Sequence, residues 1–425
     1  MTYYRFPENR VTKALAFAAM FLLLVFCRDT YITHFVVNLE ISTAITMGVV
    51  CLTGIAFLIC NRRNLKAVFT DRRMLLLAVA ALVALVPMLV KQDWTMMYFS
   101  ILFCICVGVF FSYFATVEEI AKVYVLTLAP IVVYGLLATY VFLPLLEIGL
   151  YSMPVFTYEC GDYLNYGLCW VAYRDTIHYF RLYTIFREPG VTQFFLILGL
   201  YMNNYWITWQ NRRTYWALNL LLAAAVAATL STTGMVELML LIPAIFIDKK
   251  LYRDKRIVKA AVAACVVGVL ALFAIFLQGG ALWAQVWEIV DKLMNATSSG
   301  SGFARFDAIV ENMKLFAQSP LVGKSVEQTM HNPALYDGNI SASTILFAIW
   351  GIAGGVFHVA CWFALVWKKN SGILTSLMIL FLLAFSINSQ GFVADLFIWL
   401  FPVMALSQRV LPCLPGKKPK ASAEE

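Results

Sequence analysis

The feature that most constrains this chain is a recurring unbroken apolar run of about 20 residues, the length of helix needed to cross about 30 Å of hydrocarbon at 1.5 Å per residue. Such runs lie near 14–27, 37–60, 74–90, 96–115, 122–146, 190–209, 215–231, 234–247, 257–278, 342–367, 372–388 and 392–410. The 425 residues are 62% hydrophobic and only 13% charged. Soluble domains average about 45–50% apolar and about 25% charged, because their surface must be clothed in polar groups. A soluble enzyme, a disordered chain and a fibrous repeat are therefore excluded. The runs lack the alternation of a membrane β-barrel. The fold expected is all-α: a single integral membrane domain over 1–425, a transmembrane helical bundle of about twelve spans.

The 33-residue stretch from Tyr215 to Ile247 is too long for one ordinary span, and Ser231-Thr232-Thr233-Gly234 at its middle has the composition of a tight turn. Splitting it there puts the basic loops QNRRT and DKKLYRDKR on one side of the membrane. With the N-terminus inside, cytoplasmic segments carry 23 of the 32 Lys and Arg residues and the other face carries 9. This is the positive-inside pattern. It explains the formal net charge of +8 without nucleic acid and places both termini in the cytoplasm. The N-terminus lacks a small-residue cleavage site and reads as an uncleaved signal-anchor.

Two segments outside the spans are long, 147–189 and 279–341, and both fall on the extracytoplasmic face. Loops longer than about 12–15 residues usually carry function or are disordered. In the second loop, Phe303, Phe306, Ile309, Val310, Met313 and Phe316 recur at helical spacing, which predicts an amphipathic helix over 303–318 lying on the membrane surface. NATSSGSG before it reads as a flexible linker. In the first loop, Cys160 and Cys169 are the only cysteines well outside the spans on that face. An oxidising compartment would favour a disulfide between them; two free thiols are the alternative. No metal-ligand spacing occurs.

Candidate chemistry concentrates at the mouth of the sixth span, in RLYTIFREPG (181–190). Arg181 and Arg187 either snorkel to lipid phosphates or bind a phosphorylated ligand, which guanidinium groups grip bidentately at every working pH. Arg174 and Arg305 share that face. Glu188 and His331 are candidate general bases, although a lone loop histidine is more often a plain surface residue. Glu237 lies inside the eighth span and Asp395 near the outer end of the last; carboxylates at such depth are functional candidates. The GIAGG stretch at Gly351–Gly355 reads as close helix packing.

Taken together, these motifs resemble the bacterial O-antigen polymerase and ligase superfamily of membrane glycosyltransferases. RLYTIFREPG is similar to its arginine–x–x–glycine–x–phenylalanine–x–glutamate–proline signature. LSTTGMVELMLL resembles its turn between two spans. RFDAIVENMKLFAQSPLVGKS resembles its outside helix with a proline–leucine–x–glycine end, and HNPALYDGN its histidine–asparagine segment. The likeness covers roughly 180–360. Thr184 stands where the signature has glycine, Thr232 where ligase-like members often have arginine, and Lys324 where a second glycine is common. The resemblance implies transfer of a glycan from undecaprenyl diphosphate at the outer face of a bacterial inner membrane, with no metal or other cofactor. It implies Arg181, Arg187 and Arg305 on the diphosphate and His331 or Glu188 taking the acceptor proton. The expected partners are the lipid-linked oligosaccharide, membrane lipid and a chain-length regulator. Polymerase is favoured over ligase by the glutamate–proline form and Thr232. A secondary transporter of similar size would need a long central cytoplasmic loop, which is missing.

Overall fold

The computed structural model of the chain describes residues 10–27, 30, 32–33, 39–60, 73–158, 161–173, 179–280, 283, 287, 290–291, 294, 300–335, 339, 341–367, 372–389, 391 and 393–410. The fold is mostly helical. Its helices are α1 (Arg10–Val25), α2 (Leu39–Cys60), α3 (Arg73–Lys91), α4 (Met96–Phe114), α5 (Val117–Leu137), α6 (Pro189–Tyr205), α7 (Arg212–Ala228), α8 (Thr232–Asp248), α9 (Lys255–Gln278), α10 (Gly300–Gln318), α11 (Val326–Met330), α12 (Ala342–Val366), α13 (Ile373–Ile387) and α14 (Leu396–Val410). Each expected span coincides with a helix. Among the described residues, four helical segments are long and apolar enough to cross a membrane: Arg73–Lys91, Met96–Tyr113, Val117–Glu147 and Ala342–Val366.

The Tyr215–Ile247 run divides as its sequence requires. Helix α7 ends at Ala228, and Ser231 starts α8 by accepting a hydrogen bond from Gly234 N. That cap satisfies one of the amides a helix start leaves unpaired. Helix α6 is the axis of the bundle, with fifteen of its residues from Val191 to Tyr205 all buried. An apolar helix without a polar face must be surrounded, and α5, α7 and α8 surround this one.

The first long loop adds an element that hydropathy misses. Strands β1 (Val155–Tyr158), β2 (Gly161–Asn165) and β3 (Trp170–Tyr173) form an antiparallel meander. Trp170 and Tyr163 stack at 4.4 Å, and Tyr183 meets Trp170 edge-on at 5.5 Å. Such a pair adds about 0.5–1.5 kcal/mol beyond the area it buries. The Trp170 indole N–H donates to Phe186 O at 3.2 Å, so the sheet grips the 181–189 segment through a ring contact and a hydrogen bond.

The expected Cys160–Cys169 disulfide falls partly outside the described residues. Cys160 lies outside the described residues, and Cys169 is a buried free thiol pushed up to about 12 by burial.

Helix α12 corrects one expected span. It is not one straight crossing. Gly351 has φ 65° and ψ −161°, a region open essentially to glycine alone. Ser343 Oγ lies 3.3 Å from His358 Nε2, fifteen residues away; a straight helix would hold them about 22 Å apart. The helix therefore folds back on itself, with arms 342–350 and 352–366. Gly354 and Gly355 face the side chains of Trp350 and Phe347 across the fold, where any Cβ would overlap them.

A reversal inside apolar surroundings leaves backbone groups that must find partners. Here the loop 319–324 supplies them. Ile352 N donates to Pro320 O at 2.7 Å and Lys324 N to Ala348 O at 2.6 Å. The Lys91 ammonium, at the end of α3, donates to Ile349 O at 2.6 Å, Lys324 O at 2.7 Å and Tyr98 Oη at 2.8 Å. Gly323, at φ +69°, lets the loop approach: a Cβ there would lie 2.5 Å from Ala348 O.

Helix α10 forms over the expected residues. Its apolar stripe stays partly exposed, and small residues make the buried contact. Ala304, Ala308 and Asn312 are buried, while Phe306 and Met313 are 54% and 40% exposed. The helix packs against α12, with Phe316 edge-on to Phe347 at 5.6 Å. The small residues permit close approach, and the buried Asn312 amide is fully engaged.

Candidate functional site

The 181–189 segment is held against the end of α7. Leu182 N donates to Ala228 O at 2.9 Å, and Arg181 Nε donates to Thr229 O at 3.0 Å. A helix C-terminus presents unpaired carbonyls and partial negative charge, so a cation is favoured there. Thr184 has φ +58° and is buried, with Gly135 of α5 close against it. A β-branched residue in this region is a real outlier, costing about 1–2 kcal/mol relative to glycine. Replacing Thr184 with Gly is therefore expected to raise thermal stability in detergent, by an increment matching about 1 kcal/mol. A lowered melting temperature would show that the threonine methyl contacts outweigh the strain.

Glu188 is the N-cap residue of α6, and Pro189 occupies the first helical position, where a missing N–H costs nothing. Its carboxylate lies 3.8 Å from Arg187 Nη2, with both side chains about a third exposed. An ion pair so exposed contributes about 0–1 kcal/mol, so these groups are placed where a ligand could use them and add little to stability.

Arg305 enters the same region from α10. Its Nη1 donates to Thr233 Oγ1 at 2.9 Å and its Nε to Ser389 O at 3.1 Å. Burial pulls the guanidinium below its ordinary value. Glu188 and Glu237 oppose that effect and Arg181 reinforces it. Arg305 stays protonated regardless, since the ordinary value exceeds 12. These electrostatic neighbours define the site: Arg181 and Arg305 from two distant stretches of chain, with Glu188 at the surface beside Arg187 and Glu237 beneath.

Glu237 is wholly buried, one helical turn beyond Thr233. Ser386 and Gln193 face its carboxylate, but neither oxygen reaches hydrogen-bonding geometry. Gln193 donates to Ser389 Oγ at 3.4 Å, and Ser389 Oγ donates to Ser386 O at 2.7 Å. The floor of the site is thus a run of neutral polar side chains from α6, α8 and the segment after α13.

The remaining candidates lie elsewhere. His331 is exposed at the C-cap of α11, and no side-chain contact ties it to the arginines among the described residues. Asp395 is buried and accepts a hydrogen bond from Phe397 N at 2.8 Å, so it caps the start of α14 and has a structural task. Arg174 lies outside the described residues. The sequence reading missed Thr233, Gln193 and Ser389. The signal available was SINSQG (386–391), a polar stretch between two apolar runs on the arginine face.

The described residues hold no cluster of His, Cys, Asp and Glu able to bind a metal ion. What the site offers is delocalised positive charge over neutral hydrogen-bonding groups, beside one accessible carboxylate. That combination suits a phosphorylated ligand and a proton acceptor. No family model, curated protein or solved structure matches this chain.

Proposed function

We propose that this chain is a membrane glycosyltransferase of the O-antigen polymerase type. It transfers a glycan from undecaprenyl diphosphate to the next lipid-linked repeat at the outer face of a bacterial inner membrane. One observation carries the reading: Arg305, distant in sequence, lies within electrostatic reach of Arg181 and of Glu188, which pairs with Arg187 at 3.8 Å. A diphosphate needs several fixed cations, because negative charge builds on it as it leaves. No nucleotide sugar or metal is then required for the leaving group.

Two further observations support it. Thr184 adopts a left-handed conformation at the position where the signature has glycine, so the local backbone is one that glycine would serve. The proline–leucine–x–glycine stretch has a defined task, since Pro320, Leu321 and Gly323 close against the break in α12.

In this reading the chain crosses the membrane twelve times with both termini in the cytoplasm. The 352–366 arm makes the tenth crossing, and the 342–350 arm is re-entrant from the outer side. Glu188 takes the proton of the acceptor hydroxyl, since it lies among the arginines; His331 is the alternative base. A groove between helices holds the polyprenyl tail. A separate protein sets chain length. Transfer of the finished glycan to lipid A–core, the ligase reaction, is the second reading, because it uses the same donor.

The test is a gel profile of surface and lipid-linked glycans from a strain lacking the gene. A single repeat on the lipid core with the ladder gone is the expected result. Bare core with long chains retained on the lipid carrier would mean the ligase reaction. An unchanged profile would overturn both.

A further inference from the structure

Arg305 does its work only if α10 holds still, yet the buried face of that helix is mainly alanine, which offers little to fix its rotation. A second anchor exists two turns along. Asn312, seven residues after Arg305 and on the same face, is fully buried. Its amide pairs reciprocally with that of Asn339: Nδ2 to Oδ1 at 3.0 Å in one direction and at 2.6 Å in the other. Asn312 also donates to Thr344 Oγ1 at 3.0 Å, and Asn339 donates to Thr329 O at 3.0 Å.

The chain of contacts closes on itself. Thr344 Oγ1 donates to Ser341 Oγ at 2.5 Å, since the Ser341 hydroxyl itself donates to Asn388. Asn388 Oδ1 accepts from Ser341 Oγ and from Ser343 N, both at 2.8 Å, and so caps the re-entrant arm of α12. The next residue, Ser389, accepts the Arg305 Nε hydrogen bond through its carbonyl. The circuit runs from Arg305 to Ser389 and Asn388, on to Ser341 and Thr344, and back through Asn312 to the helix that bears Arg305.

We propose that Asn312, paired with Asn339, is a positioning residue that fixes the rotation of α10 and so holds the Arg305 guanidinium over the site. Asn312 does not touch the ligand. Without it, the contacts of Arg305 to Thr233 and Ser389 would have to hold the helix as well as present a cation. A buried amide stripped of its partner is costly, so the pair acts as a unit: losing both members should cost no more than losing either. The consequence for ligand affinity rests on the diphosphate reading above; the consequence for the helix does not.

The experiment uses the full-length protein in nanodiscs with Asn312→Ala, Asn339→Ala, the double variant, Thr344→Val and Arg305→Ala. Amide exchange across 300–318 is expected to quicken about tenfold in either asparagine variant and no further in the double, with 212–248 unchanged. The dissociation constant of undecaprenyl diphosphate should rise about tenfold in the same variants. Thr344→Val, which removes one acceptor, should shift both readouts only about twofold to threefold, and serves as the test if the asparagine variants do not accumulate. Unchanged exchange in 300–318, or effects that multiply in the double variant, would overturn the positioning role. If Arg305→Ala binds undecaprenyl diphosphate like the parent protein, the diphosphate reading falls, and the exchange data still decide the role of Asn312.

Discussion

Arg305→Ala is expected to stop glycan chain formation while the protein still reaches the membrane. A fixed donor aimed at developing charge is worth about 10²–10³ in rate when removed. Among the described residues, Arg305 is the sole arginine that comes to the cluster from outside the 181–189 segment, and it bridges Thr233 and Ser389, so the loss should fall at the upper end. Arg305→Lys tells charge from geometry. Lysine keeps the charge but cannot bridge two acceptors in a planar fork, so it should recover only a small part of the rate. The assay is the length distribution of lipid-linked glycan made by membranes bearing each variant. A normal ladder from Arg305→Ala would remove the arginine from the reaction.

The second large effect is structural. Gly351→Ala is expected to abolish accumulation of folded protein. The backbone there lies in a region that costs a residue with a Cβ about 1–3 kcal/mol. The added methyl would also overlap the Leu321 carbonyl, with Pro320 O only 2.7 Å away. The Pro320 carbonyl is held in place, because it accepts a hydrogen bond from Ile352 N across the break. Gly372→Ala is the control, since its nearest neighbour would lie 3.9 Å from the new Cβ. Fluorescence-detected size-exclusion profiles of the two variants should differ sharply. A monodisperse Gly351→Ala peak at the parent level would mean that α12 runs straight.

Helix placement was largely legible in the sequence. Apolar length marks where a helix must lie, and the Ser231 turn carries its own capping chemistry, so the division of the Tyr215–Ile247 run could be read directly. The reversal at Gly351 could not. Hydropathy is blind to direction, and both arms of α12 are apolar. What sets the reversal is a set of distant partners: Lys91, the 319–324 loop and the small faces of Gly354 and Gly355. The protein-facing side of α10 could not be read either. Its apolar stripe marks a membrane-facing side, and hydropathy does not show that Ala304, Ala308 and the engaged Asn312 take the interior.

The candidate site was half legible. Arginine and glutamate at a span mouth are conspicuous because charge there is expensive, and Arg181, Arg187, Glu188, Arg305 and Glu237 do come together. Asp395 shows the limit of that logic, since a buried carboxylate can simply cap a helix. The neutral members, Thr233, Gln193 and Ser389, have no signature of their own and become visible only through the atoms they meet.

The central claim is that this arginine site releases a polyprenyl diphosphate as it lengthens a glycan. The most direct measurement is made on purified protein in liposomes supplied only with an undecaprenyl-diphosphate-linked repeat, following glycan length by gel and free undecaprenyl diphosphate by mass spectrometry. The account predicts a ladder of lengthening glycan, with one undecaprenyl diphosphate freed per repeat added, without nucleotide sugar or added metal. Repeat units that cross the bilayer or remain unchanged, with no diphosphate freed, would contradict it.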